Sequence, residues 1–222
     1  MIRQTLLTMW LAVALVCPFA GMAQEMARQG DAEHLVPQGW ESKQAVGDLD
    51  RDGIDDMVVV AQPNDERHLK VRDDGYVYNF NPHVLAIYRG KGGGQYELWH
   101  LYKDAIPMNA SETVSVDVSV GVNQKGVISI GFETFASAGG WGNGDIEYKI
   151  RYQKGDFYII GYDESSMARN TGEHEKISEN YLTHKRCVTT SNVFDDKVPA
   201  RTKWSSLPAT PLRRLGDEPL NY

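Results

Sequence analysis

Alternation of apolar and polar residues runs along much of the chain and predicts β-strands. Residues 113–120 place valine at every even position from 114 to 120, with Ser115, Asp117 and Ser119 between them. Residues 146–152 alternate in the same way. Because successive side chains of a strand point to opposite faces, both segments predict strands with one buried face. No segment shows a convincing apolar period of 3.6 residues, so the sequence does not predict α-helices.

Short turns separate the predicted strands, and three of the four contain glycine. Gly90–Gly94 lies between two apolar segments, residues 83–88 and 96–101, and predicts a hairpin. Three further turns are predicted at residues 123–126, 154–156 and 183–185. Short turns favour antiparallel neighbours. The predicted fold class is therefore all-β, with antiparallel sheets arranged as a sandwich, a barrel or a blade-like sheet.

Composition restricts the possible functions. The 222 residues carry a formal net charge of −7, and this acidity argues against non-specific nucleic-acid binding. A mean hydropathy of −0.43 and a single long apolar run exclude a polytopic membrane protein. Two cysteines are too few for a disulfide scaffold.

The first residues predict a Sec-type signal peptide of a bacterial protein. Arg3 supplies a positive start, residues 6–19 are almost uninterruptedly apolar, and Gly21 and Ala23 are small residues of the type that a signal peptidase reads. Removing 23 residues from 222 leaves 199, with Cys187 as the one cysteine and no integral membrane segment. The alternatives are a retained anchor, for which the run is short, and a lipoprotein, for which Val16 before Cys17 is too large. The expected location is the periplasm or the exterior.

Four regions are predicted along the chain. They are the signal peptide at residues 1–23, a polar lead-in at 24–36, a β domain at 37–190 and a proline-containing C-terminal tail at 191–222. Within the β domain, residues 63–81 read as a long charged loop without a strong pattern. Trp204 and Leu207 are candidates for attaching the tail to a sheet.

Residues 47–56 carry the strongest chemical signal. Counted from Asp48 as position 1, aspartates occupy positions 1, 3 and 5, and Gly53 occupies position 6. The predicted ligands of a Ca²⁺ ion are Asp48, Asp50, Asp52, the carbonyl of Ile54 and Asp56. Hard Ca²⁺ prefers six to eight oxygen ligands, and carboxylates at this spacing curl around one point. An EF-hand is excluded because position 12 is Val59 rather than glutamate. A solvated acidic turn without metal is the alternative, but unneutralised carboxylates at this spacing would repel one another.

This loop and the apolar strand after it resemble the calcium loop of FG-GAP/VCBS-type repeats, which occur in integrin α-chain propellers. The resemblance covers residues 44–62 and implies that the carboxylates of Asp48, Asp50, Asp52 and Asp56, with the carbonyl of Ile54, hold calcium. The loop occurs once, whereas a propeller repeats it. The chain also resembles secreted bacterial proteins through residues 155–163, 171–172 and 180–183, a likeness that implies a fold but no activity.

The remaining signals leave the function open. Trp141 lies in a glycine-rich loop at residues 139–145, where it would either stack on a ligand or cap the core. No HExxH or Gly-x-Ser-x-Gly motif is present, so no catalytic residue is predicted and enzymatic activity is undecided. The leading hypothesis is a Ca²⁺-binding interaction module for a protein or a cell-envelope glycan. The alternative is an extracytoplasmic hydrolase with a dispersed Asp/Glu/His site.

Overall fold

The computed structural model describes residues 25–222 except 74, 109–110 and 137–141. The described chain is all-β, as predicted, with antiparallel sheets that include a curled half-barrel. The predicted signal peptide and Trp141 lie outside the described residues. In the part of the chain that the structure describes, none of the helices has the length and apolarity needed to cross a bilayer.

Within the described residues, fourteen strands form three sheets. The five-stranded sheet has the order β1-β7-β6-β3-β2, the seven-stranded sheet the order β14-β13-β12-β11-β10-β9-β8, and the third is the pair β4-β5. Two single-turn 3₁₀ helices, Ala32–His34 and Glu66–His68, are the helical elements of the described chain. The strands are β1 (Gln29–Asp31), β2 (Glu41–Gly47), β3 (Asp56–Gln62), β4 (Leu69–Val71), β5 (Val77–Asn79), β6 (Val84–Gly90), β7 (Gln95–Tyr102), β8 (Val114–Val122), β9 (Val127–Ala136), β10 (Gly142–Gln153), β11 (Asp156–Ala168), β12 (Glu173–Asn180), β13 (Lys185–Asn192) and β14 (Arg201–Ser206).

The main core lies between the two large sheets. From the five-stranded sheet, β3 and β6 contribute Val58, Val60, Leu85 and Ile87 to this core. From the seven-stranded sheet, β8 to β11 contribute the other side, which includes Val118, Ile128, Ile130, Phe132, Ile150 and Phe157. The two sheets therefore share one core, to which each contributes one face.

A second core covers the opposite face of the five-stranded sheet. The alternate residues of β3 and β6, including Val59 and Tyr88, pack there against Met26 and Leu35 from the segment before β2. The Tyr88 hydroxyl donates a hydrogen bond of 2.9 Å to the carbonyl of Ala27. Because both of its faces are covered, β3 is continuously apolar rather than alternating.

The predicted turns are present, and each uses residues with positive φ. Gly92, Gly93 and Gly94 have φ of 78°, 61° and 75° in the connection between β6 and β7. Lys154 and Gly155, between β10 and β11, have φ of 53° and 85°. Glycine adopts this region without the steric cost that a β-carbon brings, so the glycine pattern predicted these hairpins correctly.

Strand pairing extends beyond both limits of the predicted β domain. In the polar lead-in, β1 pairs with β7, and in the C-terminal tail β14 pairs with β13. Trp204 belongs to β14, but the residue is 66% exposed, so backbone pairing rather than burial of the indole attaches this part of the tail. The interpretation of residues 63–81 as an unpatterned loop was wrong, since this segment contains the β4-β5 hairpin.

The C-terminal segment returns across the end of the seven-stranded sheet. Leu215 N donates to Phe157 O at 2.9 Å, and Ile159 N donates to Arg213 O at the same distance. Leu220 is fully buried and its amide donates to Ala105 O. Residues 207–222, here called the C-terminal strap, thus form one wall of the space beside β10 and β11.

Candidate functional site

The acidic loop connects β2 to β3 and is organised by hydrogen bonds to its own backbone. Asp48 Oδ1 accepts from the amides of Arg51 at 2.6 Å and Asp52 at 3.1 Å, and Asp48 Oδ2 accepts from Gly53 N at 3.0 Å. Arg51 and Gly53 have positive φ, 67° and 86°, which curls the chain around the Asp48 carboxylate. Short acidic side chains stabilise such turns by hydrogen-bonding nearby backbone amides.

Three carboxylates of the loop converge. Asp48, Asp50 and Asp56 each place one oxygen within 4.8 Å of the oxygens of the other two. Asp48 and Asp50 are half-buried, and Asp56 is fully buried at the first position of β3. The fold of the loop therefore brings Asp48 and Asp50, at its beginning, close to Asp56, at its end.

Asp56 is held by backbone amides from two different connections. Its Oδ2 accepts from Leu49 N at 3.0 Å, and its Oδ1 accepts from Gly90 N at 2.9 Å. Burial raises the pKa of the Asp56 carboxyl, and the Gly90 and Leu49 amides oppose that shift. The neighbouring charges of Asp50 and Asp52 raise the pKa further. This carboxylate thus fixes the loop against the end of β6.

One guanidinium partly offsets the negative charge. Arg89 Nη2 lies 3.0 Å from Asp50 Oδ2, and the Asp50 side chain is 13% exposed. The same guanidinium lies over the Trp99 ring, 3.8 Å from its centroid. With Arg89 included, the three ionised carboxylates leave a formal charge of −2, which equals the charge that one divalent cation would neutralise.

The other predicted ligands lie differently. Asp52 is exposed and outside the group of three, and its Oδ1 accepts from Ile54 N at 2.8 Å. The Ile54 side chain is 37% exposed, and the role of its carbonyl stays a prediction. Two contributors were absent from the sequence interpretation, the Arg89 guanidinium and the Gly90 amide. Both lie more than thirty residues from the loop start, and no local spacing could indicate them.

Among the described residues, the surroundings of His174 contain a Ser–His contact of the kind that hydrolases use. A cleft of ≈ 870 Å³ is lined in part by Glu173, His174 and Glu175 at the outer end of the seven-stranded sheet. The His174 ring nitrogens lie 2.9 Å from Ser165 Oγ and 3.4 Å from Ser191 Oγ. The imidazole thus contacts two hydroxyls, whereas a nucleophile–base–acid arrangement would place a carboxylate on one side.

Comparison with known proteins identified no matching family model, no matching curated protein and no matching solved structure. Functional inference therefore depends on the residues and geometry of this chain.

Proposed function

We propose that the protein is an extracytoplasmic Ca²⁺-binding β-domain protein that acts as an interaction module for a protein or a cell-envelope glycan. The observation that carries the metal assignment is the convergence of Asp48, Asp50 and Asp56 within 4.8 Å. Carboxylate oxygens are the ligands that Ca²⁺ prefers, and the ion accepts irregular geometry with water completing its shell. Mg²⁺ fits less well because it requires a stricter octahedron.

The hydrogen bonds within the loop are compatible with metal binding. Each carboxylate oxygen has two lone-pair directions, so an oxygen that accepts one amide retains a second direction for a cation. Asp48 Oδ1 accepts from two amides, but Asp48 Oδ2 and each Asp56 oxygen accept from one amide and so retain a direction for a cation. A cation at this point would also relieve the repulsion that remains after Arg89 has paired with Asp50.

The role proposed for the ion is structural. The loop connects two paired strands of the five-stranded sheet, and Asp56 joins it to the end of β6. An ion that binds the native state alone stabilises it by mass action, by about 2.7 kcal/mol at a hundredfold excess over the dissociation constant. Hydrolysis is the second candidate, favoured by the Ser165–His174 contact of 2.9 Å.

Calorimetric titration of the purified protein with CaCl₂ tests the metal assignment, after expression from the full sequence and removal of bound ions by chelation. We expect saturable binding by the wild type, and loss of binding by Asp48→Ala and Asp50→Ala. The matched control is Asp55→Ala, because Asp55 is exposed in the same loop but is outside the converging group. Asp52→Ala separates the two ligand sets, since the sequence predicts weakened binding whereas the group of three predicts a smaller effect.

Two results would contradict the proposal. The first is the absence of Ca²⁺ binding by folded wild-type protein, and the second is equal binding by wild type and Asp48→Ala. Competition by MgCl₂ at equal concentration is expected to be weak. Hydrolysis of ester or peptide reporter substrates that Ser165→Ala abolishes would instead favour the enzymatic candidate.

A further inference from the structure

A second cleft, which none of the acidic-loop residues lines, lies beside the C-terminal strap. This cleft of ≈ 430 Å³ separates the C-terminal strap from β10, β11 and the turn that follows β12. This volume falls within the range of about 300–1,000 Å³ that is usual for small-ligand sites. Three tyrosines line the cleft, together with Glu179, Arg213 and Asn221.

The three tyrosine rings are held in fixed positions. Tyr162 OH donates to Glu164 Oε2 at 2.8 Å, and Tyr181 OH donates to Glu179 Oε2 at 3.0 Å. The Tyr148 hydroxyl bonds both the carbonyl and the amide of Asn221, at 3.0 and 3.1 Å. The Tyr148 and Tyr162 ring centroids are 5.3 Å apart at an interplanar angle of 63°. Rings that are already oriented lose little conformational entropy when a ligand packs on them.

Burial further stabilises the protonated form of two of the three hydroxyls. It raises the pKa of Tyr162 and of Tyr181, and the adjacent carboxylates of Glu164 and Glu179 raise both values further. The cleft therefore presents apolar ring surface beside neutral hydroxyl and amide groups. This mixture suits a ligand that is apolar on one side and polar at its edges.

The charges around the cleft are paired within the protein. Glu179, whose side chain is 15% exposed, lies 3.3 Å from Arg186 Nη1. Arg213 Nη1 lies 3.3 Å from Glu218 Oε2. A cationic ligand would have to compete with Arg186 for Glu179, and an anionic ligand would have to compete with Glu218 for Arg213. The paired charges favour a ligand without net charge.

We propose that this cleft binds a short neutral saccharide. A sugar ring presents a patch of C–H groups that packs on tyrosine, and its hydroxyls both donate and accept hydrogen bonds at the edges. The paired carboxylate and guanidinium at the rim have acceptor and donor capacity for such hydroxyls, and neither needs to lose its partner. This inference rests on the proposed role as an interaction module and names the ligand class and the place where it binds.

Saturation-transfer NMR and calorimetric titration with three neutral trisaccharides, maltotriose, cellotriose and triacetylchitotriose, test the inference. At least one is expected to bind with a dissociation constant of about 1 mM or lower. Tyr181→Ala is expected to weaken that binding about tenfold, through loss of ring contact. Tyr181→Phe keeps the ring and is expected to retain binding. The control is Tyr76→Ala, which removes a tyrosine that is 57% exposed outside the cleft and is expected to change nothing.

Charged probes and calcium separate this inference from the metal proposal. Preferential binding of tetramethylammonium or citrate in the cleft would overturn the saccharide assignment, as would failure of all three trisaccharides. Equal trisaccharide binding by wild type and Tyr181→Ala would overturn the assigned place. Ca²⁺ titration of Tyr181→Ala is expected to match the wild type. Saccharide binding without Ca²⁺ binding would overturn the metal proposal alone, and Ca²⁺ binding without saccharide binding would overturn the cleft alone.

Discussion

The strands β3 and β14 have nearly equal lengths but opposite surroundings. Six of the seven residues of β3 are buried, whereas all six residues of β14 are exposed. The strand β3 lies inside the five-stranded sheet with a core on each face, and β14 is the last strand of the seven-stranded sheet. Burial thus follows from what covers each face, and sequence preference for strand alone does not reveal it.

The two candidate sites differ in burial in the same way as these strands. The acidic loop leads directly into the buried strand β3, and the carboxylate at that junction, Asp56, is itself fully buried. The tyrosine cleft lies where the covered part of the seven-stranded sheet gives way to its solvated part, and Tyr162 and Tyr181 are half-buried. The buried surroundings of the acidic loop restrict local movement of its carboxylates. The half-buried surroundings of the tyrosine cleft leave ring surface accessible to a ligand.

The largest expected effect is the loss of stability when a core side chain is truncated, compared with truncation of an exposed side chain of β14. Leu85→Ala removes a fully buried side chain of β6 from the main core and is expected to lower the free energy of unfolding by about 2–5 kcal/mol. Trp204→Ala removes a larger side chain from exposed β14 and is expected to change it by less than about 0.5 kcal/mol. Urea denaturation measures both values. A loss for Trp204→Ala as large as that for Leu85→Ala would contradict the comparison.

A smaller effect is expected where the acidic loop meets the neighbouring turn. Gly126 has a φ of 65°, and a β-carbon there would overlap the Asp48 carbonyl oxygen, so Gly126→Ala is expected to cost about 2 kcal/mol of unfolding free energy.

The matched control for this substitution is Gly155→Ala. Gly155 also has positive φ, 85°, but a β-carbon there would meet open space, so the expected cost is about 1 kcal/mol. Equal costs in urea denaturation would show that the contact with the loop backbone contributes nothing.

The smallest expected effect is a pH dependence of the free energy of unfolding that arises from His83. Burial lowers the pKa of His83, the charge of Lys43 lowers it further, and Asp117 opposes the shift. Between the unfolded pKa of about 6.5 and the lower folded pKa, the unfolded chain binds the proton more readily. The free energy of unfolding should therefore fall as the pH decreases through about 6.5 and below. His83→Gln should reduce the slope, measured by urea denaturation at each pH, and an unchanged slope would exclude His83 as its source.

Local patterns predicted local structure well. The alternating valines indicated β8, and the apolar run at residues 57–60 indicated β3, since both signals are contained within one strand. The short strands β4 and β5 have three residues each, and no period is detectable over that length. The pairing of β1 with β7 escaped prediction because the sequence does not record which distant segments meet.

The candidate sites also differ in whether local sequence could predict them. The loop spacing placed Asp48, Asp50 and Asp56 together because all three lie within nine residues. The tyrosine cleft could not be predicted, since Tyr148, Tyr162 and Tyr181 belong to three separate elements and each resembles an ordinary core residue. Calcium binding and the role of the signal segment stay predictions.

The contacts of Gly90 and Gly126 with the acidic loop have a consequence for the kinetics of folding. The acidic loop is complete only when the end of β6 and the turn after β8 have both reached it, through the Gly90 amide and the backbone contact beside Gly126. These partners are far apart along the chain, and such non-local contacts form late on the way to the native state. A cation held by the finished loop would therefore slow unfolding far more than it would accelerate folding. Its main contribution would be a longer lifetime of the folded protein.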